Sequence, residues 1–222
     1  MNLQAVLFDL DDTLHDKSAT LRAVAAKQYV AGELSSFGID ERQWMSQYVD
    51  LNNLRIAKAE VFSRLQDRFS LPSGLAESLL ADFDNNLGAA AKPYAGALDL
   101  VSLCKAQGMK VDLVTNGRDA FQRSKIIGMG MGMGIAENFD AVVTSGGLGI
   151  RKPDLRIFRT CLQMLDVEPS AAAFVGDDFE ADMQPALELG MRAIWKSAAS
   201  SPRVAFSSVN LNEIRAFLLP AI

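Results

Sequence analysis

Four apolar residues near the start of the chain, Ala5-Val6-Leu7-Phe8, run directly into Asp9-Leu10-Asp11-Asp12-Thr13-Leu14. Such a run reads as a strand buried on both faces within a parallel sheet. Clustered carboxylates repel one another and resist desolvation, so Asp9, Asp11 and Asp12 cannot continue into the core. They belong just past the carboxyl end of the strand, the edge at which open α/β sheets bind ligands. A helix cap and a solvated turn would account for one Asp. For three together, a positively charged partner is the stronger explanation.

Beyond this stretch the texture changes. Leu21, Val24 and Ala25, then Val30, Leu34 and Phe37, recur at helical spacing. Gly38 is placed to stop that helix. Asp40 with Gln43 resembles a capping box opening the next, which runs through Trp44, Tyr48 and Leu51. Another helix is expected from Ile56 to Phe69, and one more after Pro72-Ser73 with Leu75, Leu79, Phe83 and Leu87 on one face. Residues 16–90 are thus expected to form a helical domain, inserted into a core domain of 1–15 and 91–222.

From Lys92-Pro93 onward, strands and helices alternate. Met109–Val114, Ala141–Thr144, Ala172–Val175 and Met191–Trp195 read as strands. Ala97–Lys105, a stretch from Asp119, Leu155–Leu165, Met183–Leu189 and Leu211–Leu218 read as helices. This alternation gives an α/β fold, a doubly wound parallel sheet with helices on both faces. The Gly-Met run of residues 128–134 has Gly at every second position, each weakening a helix by about 1 kcal/mol. It reads as a loop or loosened helix end, and a surface insertion explains its Met residues better than a metal site does.

The chain of 222 residues can bury one large core or two modest ones. A net charge of −5 argues against a nucleic-acid-binding surface. No apolar segment is long enough to span a bilayer and no secretory leader is evident, so a soluble cytoplasmic protein without a membrane partner is expected. Cys104 and Cys161 lie far apart in helix-like stretches and are expected as buried, reduced thiols.

Polar clusters follow four of the strands. Asp9 and Asp11 follow the first, Thr115 and Asn116 the second, Ser145 and then Lys152 the third, and Asp177, Asp178 and Asp182 the fourth. A parallel sheet brings all these ends to one edge. Converging carboxylates call for a hard divalent cation, and oxygen ligands favour Mg²⁺. A hydroxyl, an amide and a lysine beside that cation suit a phosphoryl group, whose transfer depends on positioning and charge neutralisation. A carboxylate can act there as the nucleophile.

Phe8–Leu14 (FDLDDTL), Leu113–Gly117 (LVTNG), Lys152 in RKPD, and Gly176–Asp182 (GDDFEAD) resemble the four motifs of the haloacid dehalogenase superfamily of phosphohydrolases. Their order, their spacing and the helical insert after the first motif agree too, and the type is that of the phosphoglycolate phosphatase-like members. The resemblance implies a Rossmann-like core with a helical-bundle cap that closes over the site and excludes water. It implies that Asp9 attacks phosphorus, and that Asp11 protonates the leaving alcohol and then activates water. It implies Mg²⁺ held by Asp9, the main-chain carbonyl of Asp11 and Asp177, with Asp178 or Asp182 and Thr13 in support. Thr115, Asn116 and Lys152 would bind the phosphoryl oxygens. Asp12 is expected to serve the turn.

The substrate expected is a small phosphorylated metabolite such as phosphoglycolate, a sugar phosphate or a nucleoside monophosphate, and the protein a monomer or homodimer. Three alternatives stand beside this one: a phosphotransferase or sugar phosphomutase, a 2-haloacid dehalogenase, and a non-enzymatic binding module. Dehalogenases of the superfamily lack an acid at the position of Asp11, and a binding module has no need of Asp9, Asp11 and Lys152 together. His15 is expected at the hinge or against substrate where the cap begins, and Arg118 at the site's mouth or at a solvated helix start. Trp44, Tyr48 and Arg55 are candidates for substrate selection, with helix packing the stronger account of the two aromatics. Gly147 stands where many relatives carry an acid, so a loop hydrogen bond is expected to be missing.

Overall fold

The computed structural model describes residues 3–131 and 138–219. The chain divides into two compact units, Met1–Asp16 with Pro93–Ile222, and Lys17–Lys92. The first unit is built on a six-stranded sheet: β1 (Ala5–Phe8), β2 (Lys110–Thr115), β3 (Ala141–Thr144), β4 (Ala172–Gly176), β5 (Arg192–Trp195) and β6 (Phe206–Ser207). The strands pair in parallel in the order β3-β2-β1-β4-β5-β6. The chain runs from β1 outward through β2 and β3, then returns to β4 on the other side of β1. The order therefore reverses between β1 and β4, where the crevice of an open α/β sheet forms. Register places Phe8 beside Leu113 on one side and Val175 on the other, so the residues after β1, β2 and β4 leave the sheet at one edge.

β1 is wholly buried, as expected of a central strand in a parallel sheet. Leu7, Val114 and Phe174 meet Ile157, Phe158, Cys161 and Leu165 of the helix Leu155–Leu165 in one core. That helix places its apolar side chains on one stripe, and Asp154 caps it by accepting from the Arg156 N–H. Asp112 is an exception within β2. Its carboxylate is fully buried, takes a hydrogen bond from the Leu113 N–H at 2.5 Å and meets the Cys161 thiol. Burial pushes this carboxyl up to about 7. Both cysteines are buried and unpaired with each other.

The second unit carries four longer helices: α1 (Lys17–Ala31), α2 (Glu41–Asn53), α3 (Lys58–Phe69) and α4 (Leu75–Asn86). Asp40 accepts from the Gln43 N–H at 2.9 Å, so the capping signal read from the sequence opens α2. Trp44, Tyr48, Phe62 and Phe83 form the interior, with Trp44 and Tyr48 ring centroids 5.4 Å apart. The Trp44 indole N–H donates to the Ala25 carbonyl at 2.9 Å. Trp44 and Tyr48 are packing residues.

Three local differences from the sequence reading have physical causes. The two-residue β6 is too short to leave a periodic signal, and its pairing is led in by Ala205 N–H donating to the Ala193 carbonyl. The segment read as one helix over Met183–Leu189 begins earlier, as a wide turn over Phe179–Met183 capped by Asp178, before the α-helical Gln184–Glu188. Within the Gly-Met run, residues 128–131 extend a helix end as a wide turn broken by Gly130 at φ 80°, with Met129 and Met131 buried. Residues 132–134 of that run lie outside the described residues. Among the described residues no helix is long and apolar enough to cross a membrane.

Candidate active site

Asp9 is the first residue past β1. Its N–H still donates to the Val175 carbonyl at 2.9 Å, so the sheet fixes its backbone while its side chain turns into the crevice. There Lys152 Nζ lies 2.5 Å from Asp9 Oδ1 and 2.6 Å from Asp182 Oδ1, with the lysine only 3% exposed. Asn116 holds the lysine's loop at both ends of one residue: its Oδ1 accepts the Lys152 N–H at 2.9 Å and its Nδ2 donates to the Lys152 carbonyl at 3.1 Å.

Gly176 ends β4 because nothing larger fits. A Cβ there would overlap the Asp182 carboxylate, which lies against the glycine backbone and also accepts the Asp178 N–H at 3.2 Å. Asp177 follows. Thr13 Oγ1 donates to its Oδ1 at 3.2 Å, and the Trp195 indole N–H donates to its carbonyl at 2.8 Å.

Asp9, Asp177 and Asp182 bring carboxylate oxygens within 4.8 Å of one another. One ammonium against three carboxylates leaves the cluster negative. Burial raises the Asp9 carboxyl well above its usual range, and the charges of Asp182 and Asp177 add to this against the pull of Lys152. Burial likewise lifts Asp177 to about 6, with help from Asp182 and Asp12. Burial works against the Lys152 charge, but Asp182 and Asp9 more than offset it and keep the amine firmly protonated. An all-oxygen set with surplus negative charge fits a hard divalent cation.

Asp11 stands apart from that cluster. The turn after β1 is tight: Thr13, Leu14 and His15 donate their N–H groups to the Leu10 carbonyl, and Asp12, at φ 60°, donates to the His15 carbonyl. Asp12 serves the turn, as its position suggested, and its carbonyl accepts from Lys196 Nζ at 2.9 Å. Asp11 Oδ1 meets His15 Nδ1 at 2.6 Å, and both Asp11 oxygens lie 2.8 Å from Lys125 Nζ. Burial alone would raise the Asp11 carboxyl, but Lys125 and His15 outweigh it and hold the group well below the carboxylate range. Thr115, at the end of β2, is buried and accepts from Gln122 Nε2 at 2.6 Å.

The crevice therefore gathers Asp9, Lys152, Asp177, Asp182 and Thr13, with Asp11 and Thr115 joined through Gln122. Asp178 is placed differently: its Oδ1 caps the following turn through the N–H groups of Glu180 and Ala181, and the three-carboxylate cluster contains Asp182 instead. Ser145 Oγ accepts the Gly117 N–H at 2.9 Å and so ties two loops together. Beside Gly147 the loop has a hydrogen bond from Thr144 Oγ1 to Asp119 at 2.8 Å, so Asp119 supplies a carboxylate there. Sequence reasoning does not find Lys125, Gln122 or the contact of His15 with Asp11. Their one local signal is the three-residue spacing of Gln122 and Lys125, which puts both on one face of the helix Asp119–Ile126.

The family model for haloacid dehalogenase-like hydrolases matches residues 3–190. The chain is 37% identical over 109 residues to a phosphoserine phosphatase of Thermus thermophilus, covering 49% of this chain and 42% of that protein. It is 28% identical over 202 residues to a glyceraldehyde 3-phosphate phosphatase of Methanocaldococcus jannaschii, covering 85% and 82%. The chain thus spans less than half of the first relative and most of the second. Among solved structures it resembles a HAD phosphatase of Thermococcus onnurineus, with a TM-score of 0.63, 24% identity and 98% coverage of each chain, a likeness of fold.

Proposed function

The chain belongs to the haloacid dehalogenase-like hydrolases, and within that family we propose that it is a Mg²⁺-dependent phosphomonoesterase working through an aspartyl-phosphate on Asp9. The observation that carries this reading is the Lys152 ammonium held between Asp9 and Asp182 at the switch point of the sheet, beside Asp177. A buried nucleophile with a fixed cation at its side is what phosphoryl transfer asks of a protein, since that chemistry rests on position and charge.

In the first half-reaction an Asp9 carboxylate oxygen attacks phosphorus. The new P–O bond to Asp9 forms as the ester P–O bond breaks, and the departing alcohol oxygen takes its proton through Asp11. Lys125 and His15 hold Asp11 ionised at rest, and it therefore relays the proton that the phosphomonoester monoanion brings. In the second, water attacks the same phosphorus and gives its proton to Asp11, while the bond to Asp9 breaks and releases phosphate. The proton gained from water then leaves Asp11 with the released phosphate, which returns Asp11 to its ionised form. Lys152, Thr115 and Asn116 hold the phosphoryl oxygens, and Asn116 also holds the Lys152 loop. Asp9, Asp177 and the Asp11 main-chain carbonyl would hold Mg²⁺, with Asp182 behind them. When bound, the ion neutralises charge on the phosphoryl group.

The substrate we assign is a small phosphorylated metabolite, in keeping with the substrates in the names of the two relatives. The helical unit serves as the cap that selects it. The test is phosphate release from phosphoserine, glyceraldehyde 3-phosphate, phosphoglycolate, sugar phosphates and nucleoside monophosphates, with Mg²⁺ or excess chelator, for wild type and Asp9→Asn. Release that needs the ion and disappears in Asp9→Asn supports the reading. Release that persists in Asp9→Asn, or none from any ester by folded protein supplied with Mg²⁺, overturns it.

A further inference from the structure

Asp11 lies beyond the end of β1, on a turn, and the helix Asp119–Ile126 reaches across to grip its side chain. Lys125 Nζ lies 2.8 Å from each Asp11 oxygen, and the lysine side chain is only 7% exposed. Taking an ammonium out of water costs several kcal/mol unless a charge compensates it. Besides Asp11, Lys125 meets the Phe121 ring, with Nζ 5.0 Å from the centroid, a weaker contact. One turn earlier on the same face, buried Gln122 places Nε2 2.6 Å from Thr115 Oγ1 and 3.3 Å from Asp11 Oδ2. Gln122 is itself braced: its side chain packs against the backbone of Gly117, where a Cβ would come within 2.8 Å of it.

We propose that Lys125 is a positioning residue for phosphoryl transfer, fixing the Asp11 carboxyl at its acid–base post, while Gln122 sets that post relative to the Thr115 hydroxyl. The assignment rests on the phosphatase reading above. A group that exchanges protons with the ester oxygen and with water must stand within hydrogen-bond reach of both, and a misplacement of about 1 Å can cost about 10²-fold in rate. His15 Nδ1, 2.6 Å from Oδ1, holds the carboxyl from its own turn, and two donors from one rigid helix complete the constraint at both oxygens. Gln122 Nε2 also lies 3.3 Å from the Asn116 carbonyl, so one buried amide ties the carboxyl to the end of β2.

The experiment compares kcat/KM, with Mg²⁺, for p-nitrophenyl phosphate and glycerol phosphate in wild type, Lys125→Met, Asp11→Asn and the double variant. Nitrophenolate departs as a stabilised anion, whereas an alkoxide needs the proton from Asp11. Lys125→Met should lower kcat/KM for glycerol phosphate at least ~10-fold more than for p-nitrophenyl phosphate, and should add little in the Asp11→Asn background. An equal loss on both esters, no loss, or a full additional loss in the double variant overturns the assignment and leaves the phosphatase reading standing. Should Lys125→Met not fold, Gln122→Met, which removes no charge, carries the same comparison. Where glycerol phosphate is not turned over, the best alkyl ester of the panel above takes its place, and a wild type inactive on every ester overturns the phosphatase reading and this inference with it.

Discussion

Lys152 Nζ lies 2.5 Å from Asp9 Oδ1 with both side chains almost wholly out of water, although 143 positions separate them in the chain. The pair is tolerable because each member has a further partner or constraint. Lys152 also holds Asp182, and Asp9 is anchored through its backbone to Val175. A buried ion pair of this kind contributes little net stability when intact and costs much when one member is lost.

Lys152→Met is therefore expected to abolish turnover and to destabilise the chain by about 3–5 kcal/mol, because it leaves crowded carboxylates without their cation. Thermal unfolding with and without Mg²⁺ checks this, and added Mg²⁺ should recover part of the loss. An unchanged unfolding temperature without Mg²⁺ would count against the assignment of the charge.

Asp177→Asn should act in the opposite sense on the metal-free protein. It removes one of three mutually repelling carboxylates, so stability without Mg²⁺ should hold or rise. A bound ion stabilises by about 2.7 kcal/mol at a concentration 100 times its Kd, and that gain should shrink in the variant. The readout is the Mg²⁺-induced shift of Tm; an undiminished shift would remove Asp177 from the metal site.

Gly176→Ala probes packing under the carboxylates. A methyl group there overlaps Asp182, and overpacking of this kind costs about 1–3 kcal/mol. Displacing Asp182 also loosens Lys152, so activity should fall more steeply than stability. Rates and unfolding curves of the same preparation separate the two.

Asp112 gives a pH dependence of stability independent of the crevice. Burial raises its folded-state carboxyl from 3.8 to about 7. The folded chain therefore binds the proton more tightly, so the contribution is fully present below about pH 4 and is lost as pH rises to about 7. The span corresponds to about 4 kcal/mol, and Asp112→Asn should flatten the stability curve across it. Denaturant midpoints from pH 4 to pH 8 measure the slope; equal slopes in both proteins would show that Asp112 does not titrate there.

The sequence by itself determined five of the six strands, the helical texture of the segment after β1 and the polar ends that the strands present. Apolar runs that end in Asp9, Thr115 and Asp177 could only be buried strands with polar ends, and parallel pairing sends such ends to one edge. Lys152, well past the end of β3, was legible through the resemblance of RKPD to the third motif of the superfamily. The choice between Asp178 and Asp182 was not, because it depends on the wide turn over Phe179–Met183 and on the space beside Gly176. Neither was the engagement of the Asn116 amide with the Lys152 loop, nor the grip of Lys125, Gln122 and His15 on Asp11. Asp112, silent within an apolar strand, belongs with these. Periodicity reports which face of an element is buried; which side chain meets which across the crevice follows from how the Asp119–Ile126 helix and the loops dock on the sheet, and only the tertiary structure decided that.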